Sequence, residues 1–166
     1  MERLWSPWRS IHVAAWSARA EADRTGVFTR LAASDDDERD FVLWRGESVF
    51  VVMNLYPYNN GHLMIAPYRQ VASYEDLTLQ ERYELADATD LCLRCLRVAL
   101  APDGFNVGLN LGPAGGAGIP NHLHLHMVPR WTGDTNFMAS TADVRVVPEA
   151  MRDTYQKLRR ALEASR

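Results

Sequence analysis

The chain has 166 residues, 47% of them hydrophobic and 23% charged, with a net charge of −3 at pH 7. That size and apolar content suit one domain around one core and exclude an intrinsically disordered chain. Apolar runs such as Val49 to Met53 are too short to cross a bilayer, and no general basic field exists to attract a nucleic-acid polymer or an anionic membrane, so any phosphate recognition must be local.

In chain order, Leu4-Trp5-Ser6-Pro7-Trp8-Arg9 through Trp16 is aromatic-rich without a clean period and reads as an arm or short helix packed on the domain. The charge run Asp35 to Asp40 reads as a solvated loop. Strands are expected over Phe41 to Trp44, Ser48 to Asn54 and His62 to Ala66, with Pro57-Tyr58-Asn59-Asn60-Gly61 as a turn, which makes an antiparallel meander. Thr78-Leu79-Gln80-Glu81 has capping-box spacing and opens a helix over most of Leu79 to Leu100, stopped by Pro102-Asp103-Gly104. Its expected apolar face carries Leu79, Tyr83, Ala86, Leu93, Leu96 and Leu100. Cys92 and Cys95 share a face of that helix and read as packing; two cysteines make no disulfide framework. The N-terminus lacks the apolar core and cleavage site of a leader, so a cytoplasmic location is expected.

Phe105 to Asn110 reads as a further strand, Gly112 to Gly118 as a glycine-rich loop, Asn121 to Val128 as another strand, and Pro148-Glu149 as the start of a helix with Met151, Tyr155, Leu158 and Leu162 on one face. Strands linked by hairpins and one long helix point to an α+β fold with a mostly antiparallel sheet and a C-terminal helix. The glycine loop is neither a P-loop, lacking Gly-Lys-Ser/Thr, nor a dinucleotide fingerprint, because it leads into a strand. Its glycines allow backbone amides to turn inward as an anion nest, or else form a plain flexible hairpin.

Three of the five histidines alternate as His122-Leu123-His124-Leu125-His126. At strand period the imidazoles share one face while Leu123, Leu125 and Met127 share the other. Packing gives no reason for three titratable rings in a row. One metal ion could not hold all three, since the outer pair lies about 13 Å apart along a strand. A two-histidine metal site would need a further ligand such as Asp134 or His62. The alternative is nucleophilic catalysis at phosphorus, with one neutral imidazole attacking and its neighbours and the loop amides holding phosphate oxygens.

The triad, preceded by Asn110 and the glycine loop, and with Asn54 and Gly61-His62-Leu63-Met64-Ile65-Ala66-Pro67 upstream, resembles the signature of the histidine triad superfamily of nucleotide hydrolases and transferases. Leu4 to Arg9 and Pro129-Arg130-Trp131-Thr132-Gly133-Asp134-Thr135-Asn136-Phe137 resemble its bacterial branch containing diadenosine tetraphosphate phosphorylases. The resemblance implies a histidine triad fold and a single domain over residues 1–166, with an arm (1–40), a core (41–131) and an extension (132–166). It makes His124 the nucleophile that forms a nucleotidyl intermediate at an α-phosphate, His126 a phosphate contact and His122, together with His62, an orienting group. Asn110, Gly116, Ala117 and Gly118 would bind phosphate oxygens, Asn54 the ribose, and Trp131 would stack on a second base.

Three departures accompany the match. Ala117-Gly118-Ile119 offers no hydroxyl where many relatives have serine or threonine. Gly26-Val27-Phe28-Thr29 stands where many members of the branch have Cys-x-x-Cys, so no metal and no cofactor is expected. The dimers frequent in the family are not visible in the sequence, although a homodimer is what the resemblance implies. The expected activity is therefore cleavage of dinucleoside polyphosphates, with water or inorganic phosphate as the second partner. The alternatives are a non-enzymatic nucleotide-binding module and a metal-dependent phosphohydrolase built on the histidine cluster.

Overall fold

The computed structural model describes residues 26–134 and 149–164. The tryptophan-rich segment and the tail beyond Asp134 through Asn136 and Phe137 lie outside the described residues. The elements are α1 (Val27–Ala33), α2 (Asp37–Asp40), β1 (Val42–Arg45), β2 (Val49–Met53), β3 (Leu63–Pro67), a 3₁₀ turn (Tyr74–Asp76), α3 (Leu79–Leu100), β4 (Gly104–Leu109), β5 (Leu125–Arg130) and α4 (Met151–Ala164). One antiparallel sheet has the order β1-β2-β3-β5-β4, as the α+β reading expects.

Every residue of β2 and β3 is buried, because both faces of the sheet are covered. On one face Val49, Val51, Met53, Leu63, Ile65, Leu125 and Met127 pack against Leu85, Ala88, Cys92, Cys95 and Leu96 of α3 and Tyr155, Leu158, Ala161 and Leu162 of α4. On the other face Phe50, Val52, Met64 and Ala66 meet Phe28 and Leu31 of α1, with Ile119. Period-two alternation thus separates a thick helical layer from the thinner layer that shelters the histidines.

The capping box is present at the start of α3. The Glu81 amide donates to Thr78 Oγ1 at 3.2 Å and the Thr78 amide to Glu81 Oε2 at 2.7 Å. The expected face of this helix is corrected at its first turns, where Leu79 and Tyr83 are 63% and 64% exposed and Ala86 is exposed too. Polar side chains take the inward positions there. Glu81 is buried and paired with Arg69 at 2.7 Å, while the Glu84 carboxylate accepts the amides of Glu47 and Ser48, each at 2.6 Å. Leucine and tyrosine are displaced outward because the Glu84 carboxylate binds amides of the β1–β2 turn and Glu81 binds Arg69 and the Thr78 amide, which no apolar group could satisfy.

The acidic run is also corrected: it is not a solvated loop. Asp36 caps α2 by accepting the Arg39 amide at 3.1 Å, and Arg45 reaches Asp37 at 2.8 Å. The Asp40 carboxyl is held down at about 2, chiefly by the Arg39 guanidinium and, with it, Ser34 and Arg30. These contacts join the arm to β1.

Candidate active site

The histidine strand begins later than its alternation suggests. Asn121 to His124 lie outside the β5 ladder, which starts at Leu125 opposite Ile65 of β3 and Leu109 of β4. The lead-in is tied instead by two other bonds. The Leu123 amide donates to Val71 O at 2.6 Å, and His122 Nε2 donates to Pro67 O at 2.8 Å. Alternation nevertheless holds. Leu125 and Met127 enter the α3 layer, whereas the rings of His122 and His124 lie 5.1 and 4.9 Å from the Phe28 ring of α1. The His124 and His126 rings meet edge to face at 4.7 Å.

The hydrogen bonds fix which nitrogen of each ring carries the proton. His124 Nδ1 lies 2.8 Å from the His122 carbonyl, which only accepts, so Nδ1 is protonated and Nε2 of the neutral ring keeps the lone pair. His62 Nδ1 is addressed by two donors, the Tyr58 amide at 3.1 Å and Asn54 Nδ2 at 3.3 Å, so its proton is on Nε2. That Nε2–H donates to His126 Nδ1 at 3.0 Å, which leaves the His126 proton on Nε2. His126 Nε2–H and Asn110 Nδ2 are then two donor groups 3.4 Å apart, a pair that can serve an anionic oxygen bound beside them.

Burial pushes His122 and His124 below their ordinary imidazole value, opposed by the hydrogen bonds to the Pro67 and His122 carbonyls. Both rings are therefore neutral at pH 7. An unfolded chain, with ordinary values of about 6.5, binds more protons than the fold once pH falls through that value. Stability is accordingly expected to hold above about pH 6.5 and to fall below it. Denaturant unfolding at pH 7.5 and 5.5 checks this, and equal stabilities after correction for carboxylates would contradict it.

The other expected site residues stand around this cluster. Asn54 is beside His62: its Nδ2 meets His62 Nδ1 at 3.3 Å and its Oδ1 accepts the Tyr56 amide at 2.9 Å. The glycine loop folds on itself. The Gly116 amide donates to Pro113 O at 3.0 Å and the Ala117 amide to Gly112 O at 3.2 Å, while Gly116 O faces Asn110 Nδ2 at 3.4 Å. In this conformation those two amides are engaged by carbonyls of their own loop. Gly118 follows in the same loop. Trp131 is half-buried just past the end of β5, about 17 Å along the chain from His126.

Sequence reasoning missed Tyr58 and Phe28. Tyr58 lay in a segment read only as a turn, yet its amide sets the His62 tautomer and its ring stacks on His62 at 4.8 Å. Gly61, at φ +73°, lets that turn close; a Cβ there would meet Leu100 at 2.4 Å. Phe28 lay in the arm, and only the aromatic itself signalled burial.

The zinc found in many members of the resembled branch does not suit these residues. Phe28 occupies the Cys-x-x-Cys position and is wholly buried against His122 and His124, and no three histidine, cysteine or acidic side chains are grouped to hold an ion among the described residues. His62 and His126 bond each other directly, which leaves no room for a metal between them.

A model of the HIT domain matches residues 36–133. The chain is 41% identical over 162 residues to a protein of Mycobacterium tuberculosis named AP-4-A phosphorylase, covering 95% of this chain and 83% of that one. The chain belongs to the HIT family. A Saccharomyces cerevisiae protein named bis(5'-adenosyl)-triphosphatase is 32% identical over 91 residues, covering 54% of this HIT chain and 44% of its own. Among solved structures, a Zn-bound histidine triad family protein of Mycobacterium smegmatis shares the HIT fold, with a TM-score of 0.67 at 24% identity over 83% of this chain and 93% of that one.

Proposed function

We propose that this HIT protein cleaves diadenosine tetraphosphate or a related dinucleoside polyphosphate at the α-phosphate, through a nucleotidyl intermediate on His124. The observation that carries this is the 2.8 Å bond from His124 Nδ1 to the His122 carbonyl, which leaves Nε2 as an unprotonated nucleophile beside the donors of His126 and Asn110. Nε2 bonds to phosphorus, the bond to the bridging oxygen breaks, and ATP leaves. The ring then carries positive charge, and the His122 carbonyl stabilises the retained Nδ1–H. An oxygen of inorganic phosphate or water attacks next and the P–N bond breaks, which restores the lone pair.

Likeness to the Mycobacterium tuberculosis protein favours inorganic phosphate as the second nucleophile. The test is turnover of diadenosine tetraphosphate with and without phosphate, in chelator. Phosphorolysis gives ADP and ATP; hydrolysis gives AMP and ATP and would remove phosphate from this reading. Loss of turnover in chelator, with recovery on added zinc, would favour a metal-dependent phosphohydrolase. Binding of AMP with every dinucleotide left intact would favour a binding module, the reading suggested by the missing loop hydroxyl.

In the same proposal residues 1–166 act as one domain, with Asn110 and His126 at the phosphates, the Gly116–Ala117–Gly118 segment joining them when the Gly116 and Ala117 amides exchange their own loop carbonyls for phosphate oxygens, Asn54 at the ribose and Trp131 against the second base. The free, buried Cys92 and Cys95 suit a reducing cytoplasm. A homodimer is supported by the exposed edge of β4, where Val107 and nearby Leu111 are each 45% exposed. Sedimentation is expected to give twice the 18.8 kDa chain mass, and Val107→Asp to shift it towards one chain; a monomeric parent would overturn this point.

A further inference from the structure

The carboxylate of Asp134 joins the turn after β5 to the turn before β3 that carries Asn59. Arg130 donates to it twice, from Nε at 2.6 Å and Nη2 at 2.7 Å. The Trp131 amide donates to its Oδ2 at 3.2 Å, closing the turn after β5. The fourth donor comes from elsewhere in the chain: Asn59 Nδ2 reaches the same Oδ2 at 2.9 Å and also meets Pro129 O at 3.2 Å. Asn59 lies in the turn that matters to the histidine relay. Its carbonyl accepts the His62 amide at 3.2 Å, and the residue before it, Tyr58, supplies the amide that addresses His62 Nδ1.

The carboxylate is almost enclosed, with its side chain 10% exposed, and Arg130 is further braced by Asn106 Oδ1 at 2.8 Å. An exposed ion pair contributes little to stability and constrains little. Four donors fixed on one buried carboxylate constrain the backbone at both ends.

We propose that Asp134 is a positioning residue. By holding Asn59 it keeps the Tyr58 amide on His62 Nδ1, so that His62 Nε2–H faces His126 and His126 Nε2–H faces the substrate. By holding the Trp131 amide it sets the aromatic plane for the second nucleoside. A single carboxylate thus couples the proton arrangement of the phosphate site to the far end of a dinucleotide. This rests on the function proposed above for the Trp131 half, but the His62 half stands without it.

Two variants separate the clamp from the ion pair. Asp134→Asn is nearly isosteric and lacks the charge that gathers the four donors. Asn59→Asp sets two carboxylates against each other while the Arg130–Asp134 pair stays in place. The first measurement uses the whole protein without nucleotide, as long-range ¹⁵N–¹H spectra of the histidine rings. The parent is expected to show His62 protonated on Nε2 alone, and both variants a mixture of tautomers or a shifted Nδ1 resonance, with thermal midpoints above assay temperature.

The second measurement is steady-state kinetics on diadenosine tetraphosphate and on an adenylate ester with a small leaving group. Both variants are expected to lose about tenfold in kcat/KM on the dinucleotide beyond any loss on the small ester, and Asp134→Glu to recover part of it. Unchanged His62 resonances together with equal losses on the two substrates would overturn the proposal. If the parent itself leaves the dinucleotide intact, the proposed function fails, and the spectra alone decide whether Asp134 sets the tautomer.

Discussion

His124→Ala is expected to lower turnover of diadenosine tetraphosphate by ~10⁴-fold or more, because the variant loses the atom that bonds to phosphorus rather than a contact to it. The expected size follows from where the lone pair lies. His124 Nδ1 is committed to the His122 carbonyl at 2.8 Å, the residue is 5% exposed, burial keeps its ring neutral, and that ring meets the His126 ring at 4.7 Å, whereas the other partnerless ring nitrogen, His122 Nδ1, is fully buried. His62 and His126 direct their lone pairs at donors instead.

A contrast strengthens the test. His126→Gln retains a donor near Asn110 and is expected to lose about 10²-fold, the scale of a weakened oxyanion contact. Added imidazole should restore part of the rate to His124→Ala and none to His126→Gln, since only the first variant has a cavity where a nucleophile belongs. Folding is checked by thermal melting, and binding of AMP by calorimetry. A His124→Ala protein that binds AMP and turns over at the parent rate would end the covalent mechanism.

The parts of this molecule that depend on local chemistry were legible in its sequence. The bounds of α3 follow from Thr78 and Glu81 at one end and Pro102-Asp103-Gly104 at the other, because a cap is made by neighbours in the chain. The shared face of His122, His124 and His126 follows from their period alone. Features set by distant partners were not legible. Leu79 and Tyr83 face solvent because Glu84 is drawn to amides 35 to 37 residues away in sequence. β5 starts at Leu125 because the carbonyl of Pro67 takes the His122 ring instead of a ladder bond. The tautomers depend on the Tyr58 amide, and a backbone donor leaves no mark on composition.

Phe28→Ala is expected to cost about 3–5 kcal/mol of stability, a large share of the roughly 5–15 kcal/mol that holds a domain of this size together. Phe28 has no exposed surface, meets Phe50 of β2 edge-on at 6.3 Å, and is the aromatic wall over two imidazoles. Removing it opens a cavity against His122, whose Nδ1 is buried without a hydrogen-bond partner, and a cavity with a polar wall admits water. Water there would relieve the burial that lowers His124, so its titration should move up towards the ordinary imidazole value and the acid limb of the rate profile should move with it. Phe28→Leu keeps most of the volume and should cost about 1.5 kcal/mol or less with little change in that limb. Denaturant unfolding gives the first quantity and histidine NMR titration the second. A Phe28→Ala protein that is destabilised while His124 titrates as in the parent would show that the aromatic supports the sheet without setting the protonation of the nucleophile.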